Sequence, residues 1–434
     1  MICGDRLKVT YFFISDGNPN SGISKKVASE VRALRQLGVN IDIVATCQVK
    51  KERFLPKYLQ FLKPIIRIQR SFEVREELRH CINSLGERDV LYFRIGVLPL
   101  PAYPRNFFKK FRRCKIVSEH QTIEINEAWT DKRYVGLLNE FLFGKFIRQQ
   151  FSGTVSVTDE IRKYQIKKTR NQSISHQTIG NGFDVASVPT RTSPTYCGSN
   201  LNILFVGSKI DRKWYGLERL LLGLKNFRDN YFGNVSVFLH VVGAYSDESG
   251  LYEKVLSLNL QENVIFHGFV SGTELNAHFN QCHIAVGSLG IHRKGLTQTS
   301  ELKGREYCAR GIPYIIACDD PDFPADFPYI LQLPADESPI DIKRVLAFAK
   351  EVCADPDHPQ KMRRYAEEHL DWSVKMKKLK GFLETLVGED GTKGVPEPSA
   401  APLATTELKV PDETALPGAG QGDVLSGASR ERGS

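Results

Sequence analysis

The chain has 434 residues, 41% of them apolar and 25% charged, which is the balance of a soluble globular protein large enough for two domains. No apolar run approaches the ~18 residues of a membrane-spanning helix, and the strand-like segment at Lys8 leaves no room for a signal peptide, so we expect a cytoplasmic location. A net charge of +9 favours anionic partners such as nucleotides or phospholipid surfaces, but no recognisable nucleic-acid-binding module accompanies it.

The first half reads as the opening of a doubly wound α/β domain. Residues 8–15 predict a buried strand, and a loop of turn-forming residues separates it from a helix whose apolar residues recur at helical spacing. Residues 41–44, 89–94, 115–118 and 153–157 predict further strands. Gly22 lies at the helix start, where we expect it to approach a phosphate or the leaving group.

A basic, phenylalanine-rich segment interrupts this pattern at residues 104–115. It carries six basic residues and no acidic one, and as a helix it would place Phe107, Phe108 and Phe111 near one face. One interpretation is contact with an anionic membrane surface, which would make the protein peripheral to the inner face of the cell membrane. The other is an ordinary solvated helix whose phenylalanines meet the protein core.

The second half repeats the strand–helix rhythm after a stretch with linker composition. We predict an N-terminal domain at 1–186, a linker at 187–200 and a C-terminal domain at 201–371. A helix at 372–388 is expected to return to the first domain, and the Pro-, Gly- and Ser-rich tail at 389–434 is expected to be disordered. The predicted architecture is two Rossmann-like, doubly wound domains that face a cleft.

Residues 283–318 form the most informative stretch, which predicts strand, loop, helix and strand. Ser300 is expected to cap the helix and Gly311 to end it. The free N–H groups of Ser300, Glu301 and Leu302 would then form an anion site at the carboxyl end of a strand. Glu306, roughly 9 Å further along, could accept hydrogen bonds from ribose hydroxyls.

Four short motifs, in order, resemble those of the family 4 retaining glycosyltransferases of GT-B fold, over residues 7–388. They are Ser21-Gly22-Ile23, Ile179-Gly180-Asn181-Gly182-Phe183-Asp184, Leu204-Phe205-Val206-Gly207 with Gly216-Leu217-Glu218-Arg219-Leu220, and Arg305-Glu306-Tyr307-Cys308-Ala309-Arg310-Gly311-Ile312-Pro313. The resemblance implies a retaining, hexosyltransferase-like enzyme. It would move a sugar from a nucleotide-sugar donor to a glycan or lipid-linked acceptor, as in cell-surface polysaccharide synthesis.

The resemblance also implies roles for single residues. Glu306 matches the second acid of the family's paired-glutamate motif, whereas Gln298 stands where the first acid is expected. His120 matches an acceptor-side histidine that contacts the donor sugar, although a satisfied histidine at the sheet edge is the alternative, and Gly207 lies in the donor loop. The family's basic residues in that loop have no clean match, because Ser208 and Tyr215 occupy the corresponding positions.

The departing diphosphate nevertheless requires positive charge, since negative charge grows on its bridging oxygen. The candidates among neighbouring cations are Lys209, Arg212, Lys213, Arg293 and Lys294. No metal is expected: the nine cysteines stand singly without zinc-ligand spacing, and Asp319, Asp320 and Asp322 lie in a proline-containing loop.

Two other functions fit the same residues. A nucleotide-sugar epimerase of the same fold would turn over the donor without an acceptor. A non-catalytic protein that binds sugar nucleotides would explain why Gln298 replaces an acid.

Overall fold

The computed structural model describes residues 7–15, 21–47, 63–94, 107–111, 114–196, 198–231, 233–244 and 250–388. The predicted tail at 389–434 lies outside these ranges. Residues 1–391 belong to one compact unit, which contains both of the sheets below. Among the described helices, none combines the length and hydropathy that crossing a bilayer requires.

The first lobe is built on a sheet whose strand order is β2-β1-β3-β4-β5-β6, with every described pairing parallel. Its strands are β1 (Lys8–Ser15), β2 (Asn40–Cys47), β3 (Val90–Arg94), β4 (Lys115–His120), β5 (Gly153–Ser156) and β6 (Ser175–Thr178). Its helices are α1 (Gly22–Gln36), α2 (Lys63–Asn83), α3 (Glu124–Thr130), α4 (Tyr134–Arg148) and α5 (Asp159–Thr169).

The second lobe is built on a parallel sheet of order β12-β11-β10-β7-β8-β9. Its strands are β7 (Asn200–Lys209), β8 (Ser236–Ala244), β9 (Val264–Gly268), β10 (Ile284–Val286), β11 (Tyr314–Ile316) and β12 (Ile330–Gln332). Its helices are α6 (Leu217–Asn230), α7 (Leu251–Ser257), α8 (Gly272–Gln281), α9 (Leu302–Arg310), α10 (Ile342–Cys353) and α11 (His358–Tyr365). The π-helical turn Ala366–Leu370 follows α11.

The last helix, α12 (Trp372–Gly388), packs against the first lobe although it follows the second lobe in the chain. Its buried side chains Trp372, Met376 and Leu383 share one apolar cluster with Val9 on β1 and Val27 on α1. Backbone hydrogen bonds reinforce this return, because Phe183 N donates to Leu370 O at 2.9 Å and Trp372 N donates to Phe183 O at 3.1 Å. The chain therefore joins its two lobes twice.

Phe107 and Phe108 of the basic segment belong to the core, and the side chain of Phe111 lies outside what the structure describes. Phe107 and Phe108 are buried in the cluster that contains Phe93 and Phe151, and the Phe108 and Phe151 rings meet edge to face at 5.2 Å. The membrane interpretation is therefore wrong for these two side chains, because apolar packing against β3 removes them from the surface. Residues 104–106 and 112–113 lie outside the described residues.

The predicted free thiols are confirmed where the structure describes the cysteines. Those residues are Cys81, Cys114, Cys282, Cys308, Cys318 and Cys353. All except Cys353 are buried, and burial raises their pKa, so they are small core residues with little thiolate character.

Candidate functional site

A cleft of about 820 Å³ lies between the two lobes. The first lobe contributes the start of α1, the ends of β4 and β5, and the turn after β6, including Gly22, Gln121, Thr122, Thr158 and Asn181. The second lobe contributes the ends of β7 and β10 and the start of α9. Carboxyl ends of parallel strands are where α/β proteins gather their ligand sites, and the volume is within the roughly 300–1,000 Å³ of ligand pockets.

Two of the predicted glycines line this cleft. An added Cβ at Gly22 would meet nothing within 4 Å, so the N-terminus of α1 opens onto free space. An added Cβ at Gly207 would lie 3.1 Å from the ring of Phe205, which leaves little room for any larger residue. Both positions therefore let a ligand approach the backbone closely.

The prediction that Ser300 caps α9 is wrong. The helix begins at Leu302, and Glu301 occupies the N-cap position without a side-chain capping bond. The Ser300 hydroxyl instead accepts hydrogen bonds from the Asn181 backbone N–H at 2.7 Å and from Arg305 Nη2 at 2.9 Å. Ser300 therefore helps to join the two lobes at the cleft wall.

The Glu301 carboxylate is engaged by the protein itself. It accepts hydrogen bonds from the backbone N–H of Ser288 at 3.0 Å and from the Ser288 hydroxyl at 2.6 Å, and so ties the start of α9 to the end of β10. The first-turn N–H groups of a helix have no acceptor within the helix. Because Glu301, Leu302 and Lys303 all line the cleft, these amides are available at its wall.

Glu306 lies in the cleft lining, one turn beyond the helix start. One carboxylate oxygen accepts a hydrogen bond from Arg310 Nε at 2.9 Å, and the side chain is 23% exposed. Arg310 is held in turn by Asn276 Oδ1 at 2.7 Å. The carboxylate is thus oriented by a cation and keeps capacity to accept further hydrogen bonds from a ligand.

Two lysines, Lys294 and Lys303, belong to the second lobe's part of the cleft wall. Lys303 Nζ is buried without a hydrogen-bond partner and lies 3.3 Å from the ring centre of Tyr215 and 3.9 Å from that of Phe205. Burial lowers the pKa of Lys303 to about 7, despite the opposing effect of Glu301 and Glu306. Burial also lowers the pKa of Lys294, whose Nζ lies 4.1 Å from the ring centre of Trp214.

The other predicted cations lie elsewhere. Lys209, Arg212 and Lys213 are exposed and are not part of the cleft lining. Arg293 pairs with Glu218 and with Glu337, whose Oε1 lies 2.8 Å from Arg293 Nε. Their proposed contact with a diphosphate has no support in this geometry, because each side chain is solvated or already neutralised.

Gln298 bridges the lobes. Its Oε1 accepts a hydrogen bond from the backbone N–H of Glu160 at the start of α5, at 3.0 Å, and its Nε2 donates to Asp319 Oδ2 at 3.1 Å. In return the Glu160 carboxylate accepts the backbone N–H groups of Thr297 and Gln298, each at 2.9 Å. An amide is suited to this position because it must accept from one neighbour and donate to the other.

His120 lies in the interior and not at the cleft. It is fully buried, its Nε2 lies 2.8 Å from Ser118 Oγ, and its Nδ1 lies 2.5 Å from Glu124 Oε1. Burial would raise the pKa of Glu124, but the charges of Arg148 and His120 hold that pKa below its usual range. Both ring nitrogens are occupied, so this geometry favours the alternative of a satisfied histidine over contact with a donor sugar.

Asp320 and Asp322 pair with the protein's own cations, whereas Asp319 accepts the hydrogen bond from Gln298 described above. Asp320 and Asp322 pair with the buried guanidinium of Arg305, and Asp322 also pairs with Lys375 at 2.5 Å. Burial raises the pKa of Asp320 to about 6. The cluster links α9, the following loop and α12.

Three histidines that lie far apart in the sequence, His240, His267 and His278, place ring nitrogens within 4.8 Å of one another. Two of the nitrogens, His240 Nδ1 and His267 Nε2, are 3.0 Å apart in ring planes that differ by 4°. One of these nitrogens donates to the other, and His278 Nδ1 is buried without a hydrogen-bond partner in the part of the chain that the structure describes.

Sequence reasoning missed Lys303, Asn181 and Glu160 as residues of the site. Lys303 lies within the segment from Gln298 to Glu306. Its position three residues before Glu306 indicates that the two side chains are neighbours on the helix surface, which could have identified Lys303 as a site residue. Nothing in the sequence indicated that Glu160 and Asn181 would meet the second lobe, because those contacts span 138 and 119 positions.

Residues 199–290 match the family model described as glycosyl transferases group 1. This segment contains β7 to β10, including the Val206–Ser208 and Trp214–Tyr215 parts of the cleft wall. A comparison with curated proteins gives no significant match.

Solved glycosyltransferase structures share the whole architecture. Sucrose-phosphate synthase from Thermosynechococcus elongatus aligns with a TM-score of 0.62 and 13% identity, over 88% of this chain and 100% of that chain. Trehalose-6-phosphate synthase aligns with a TM-score of 0.58 and 11% identity, over 87% of this chain and 99% of that chain. A lipopolysaccharide outer core galactosyltransferase in its apo form aligns with a TM-score of 0.56 and 15% identity, over 87% of this chain and 99% of that chain. The fold is therefore GT-B, as predicted, and the family match supports a glycosyltransferase.

Proposed function

We propose that the protein is a retaining glycosyltransferase of family 4 type that uses a nucleoside diphosphate sugar as donor. One observation carries the proposal: along α9, an unpaired ammonium at Lys303 and free helix N–H groups lie beside Glu306 in one cleft wall. Positive groups suit the diphosphate, and an oriented carboxylate suits the two hydroxyls of a ribose. The family match over the neighbouring strands supports the same assignment.

The proposed donor pose follows from the order of these groups. The diphosphate lies against the amides of Leu302 and Lys303, with Lys294 at the other side of the opening. The ribose lies one turn further along α9, at Glu306. The sugar then projects toward the first lobe, where Gln121, Thr122 and Thr158 present polar side chains.

The chemistry requires charge stabilisation at the leaving group. The bond from the anomeric carbon to the diphosphate oxygen breaks, and a bond to the acceptor oxygen forms on the same face. The acceptor hydroxyl gives its proton to the departing diphosphate. Lys303 and the helix N–H groups stabilise the charge that develops on that diphosphate, and a single well-placed donor is worth about 3 kcal/mol in such sites.

We propose a hexose as the transferred sugar, and a glycan or lipid-linked glycan of cell-surface polysaccharide as acceptor. The excess of basic residues supports an acceptor that is anionic or carried near an anionic surface. No metal ion has a role in this proposal, because Lys303, Lys294 and the helix start provide the positive charge.

The function is tested by thermal-shift screening against UDP, GDP and ADP and their common hexose derivatives. A ligand at 100 times its Kd stabilises the folded protein by about 2.7 kcal/mol, which raises the melting temperature by several degrees. The nucleotide that binds is then supplied as its sugar together with lipid-linked and free glycans. Retention of the anomeric configuration in the product, read by NMR, supports the proposed mechanism. Turnover without an acceptor indicates an epimerase, and binding without turnover indicates a non-catalytic protein.

A further inference from the structure

Helix α4 of the first lobe carries an uncovered apolar face. Five of its side chains are exposed to an unusual degree: Tyr134 (62%), Val135 (63%), Leu138 (51%), Phe141 (73%) and Leu142 (45%). Their spacing follows the helical period, so they share one side of the helix. Trp129, at the end of α3, is exposed by 67%. Proteins rarely leave a contiguous patch of this kind in water unless something binds there.

The opposite side of α4 is buried against the rest of the first lobe. Gly136, Asn139, Glu140, Ile147 and Arg148 are buried there. Arg148 Nη2 lies 3.1 Å from Glu124 Oε2, and its Nη1 lies 2.8 Å from Glu140 Oε1. The helix is therefore fixed to the lobe by its polar side and presents large apolar residues outward. This is the reverse of the usual orientation of a surface helix.

The surroundings of this face are basic. Glu140 is the single acidic residue between Tyr134 and Arg148, and it is buried against Arg148 and Lys168. Exposed Lys163 and Lys167 lie on the neighbouring α5 beside Ile166, which is itself 40% exposed.

The end of α3 adds further charges to this rim. Lys132 and Arg133 precede α4, and Glu127 and Asp131 are both ion-paired with Arg133, at 2.6 and 3.2 Å. These two acids balance Lys132 and Arg133, so the end of α3 adds no net charge, and the positive charge beside the face comes from the lysines on α5. A large apolar and aromatic face with exposed lysines along the side formed by α5 matches a bilayer whose headgroups are anionic.

We infer that the exposed face of α4 docks onto an anionic phospholipid membrane. The docked orientation would place the cleft close to the lipid surface, because α3 follows Gln121 and Thr122 of the cleft wall and its Asn126 Nδ2 donates to Gly295 O at 3.3 Å. The benefit to a lipid-linked acceptor rests on the proposed function. The docking itself is independent of the proposed function. It assigns the membrane contact to α4 and not to Phe107 and Phe108.

The test is co-sedimentation of the full chain with vesicles of phosphatidylcholine alone or with about a third phosphatidylglycerol. The chain should sediment with the anionic vesicles, and the triple variant Val135→Ser/Leu138→Ser/Phe141→Ser should bind at least about tenfold more weakly. The matched control is Tyr252→Ser/Leu256→Ser/Phe269→Ser, which removes three apolar side chains exposed by 48%, 40% and 71% and should leave binding unchanged. Lys163→Gln/Lys167→Gln should weaken binding and reduce its sensitivity to salt.

Other outcomes overturn the inference. These are no sedimentation of the parent chain, or equal sedimentation of the α4 triple variant and the parent. A parent chain that is dimeric in solution and becomes monomeric in the triple variant would assign the face to a second copy instead. Nucleotide binding, measured on the same variant without vesicles, separates a failure of docking from a failure of the proposed function.

Discussion

The unpaired ammonium group of Lys303 belongs to a different element from the basic residues that the resemblance implies. Ser208, at the end of β7, and Tyr215, in the loop that follows, stand where the resemblance implies basic residues. Lys303 belongs to α9, and its Nζ lies 3.3 Å from the centre of the Tyr215 ring. The amino group thus lies next to Tyr215, where the resemblance implies a basic residue, and contacts the faces of two aromatic rings.

The lowered pKa of Lys303 makes nucleotide binding depend on pH. Burial favours the neutral amine, so in the free protein the ammonium is lost as the pH rises through about 7. A diphosphate favours the ammonium, so the affinity should fall between pH 6.5 and 8.5, by up to about tenfold per unit of pH. Calorimetric titration of the nucleoside diphosphate over this range measures the effect.

Two variants at position 303 separate charge from shape. Lys303→Met should bind more weakly at pH 6.5 and lose the pH dependence, whereas Lys303→Arg should lose the pH dependence and remain charged. An unchanged pH dependence in the methionine variant would show that Lys303 does not contact the diphosphate.

Gln298→Glu should weaken the contact between the lobes and not improve catalysis. The new carboxylate would face the Asp319 carboxylate, 3.1 Å from the present Nε2, and would lose the donated hydrogen bond. We expect a loss of about 1–2 kcal/mol in the free energy of unfolding at pH 7, measured by urea denaturation. Stability should recover toward pH 4, where one of the two acids takes up a proton.

Exchange of the two side chains provides the control for this prediction. In Gln298→Glu/Asp319→Asn the carboxylate can accept a hydrogen bond from the new amide, so most of the lost stability should return. Gln281→Glu, at an exposed position, should change stability little. Higher transfer activity of Gln298→Glu would contradict our explanation of this residue.

At the residue scale, the sequence predicts the position of the site along the chain more accurately than it predicts which side-chain atoms face the cleft. Glu306 and Gly22 line the cleft, as predicted. Their positions could be predicted because the spacing of a motif determines where each residue lies along its helix. Ser300 and His120 were assigned roles that depend on side-chain direction, and their hydrogen bonds go to Asn181 and to Glu124 instead. Such directions are set by residues distant in sequence, which no local pattern reveals.

Elements were predictable because most strands are short apolar runs between turn formers. Where helices cover both faces of a parallel sheet, the strands are buried on both sides, and β1 shows five successive buried residues. Gly311 ends α9 as predicted, with φ +77°. The start of α9 was misplaced because Ser is a good capping residue, yet this Ser is engaged by Arg305 and Asn181.

The glycine that ends α9 allows a test of element packing. At Gly311 an added Cβ would lie 2.5 Å from the backbone Cα of Pro359, and the backbone of residue 311 has a left-handed conformation that alanine rarely adopts. Gly311→Ala should therefore reduce the free energy of unfolding by about 2 kcal/mol or more. Gly381→Ala in α12 is the matched control, since an added Cβ there meets nothing within 4 Å. That change should stabilise the protein by up to about 1 kcal/mol.

Chemical denaturation followed by circular dichroism gives both values. Equal effects at positions 311 and 381 would mean that the close approach of α9 and α11 does not constrain the fold. A stable Gly311→Ala protein that binds nucleotide normally would lead to the same conclusion.

At the scale of the whole molecule, two successive βαβ patterns predicted two lobes and a cleft. The contacts between the lobes could not be predicted, because they join residues more than a hundred positions apart. One shared cluster of buried side chains contains Ile123, Val157 and Ile161 of the first lobe and Leu204 and Leu296 of the second. The exposed face of α4 was also missed, since its apolar spacing is the same as that of a helix that faces the core.

The central claim is that the cleft between the lobes binds a nucleoside diphosphate along α9. Calorimetric titration of the parent chain and of Glu306→Gln with UDP, GDP and ADP tests it most directly. We predict that at least one nucleotide binds the parent chain with one-to-one stoichiometry. Glu306→Gln should weaken that binding by about tenfold or more, because a neutral amide accepts the ribose hydroxyls less well. No binding of any of the three nucleotides at millimolar concentration, or equal binding by both proteins, would contradict the account.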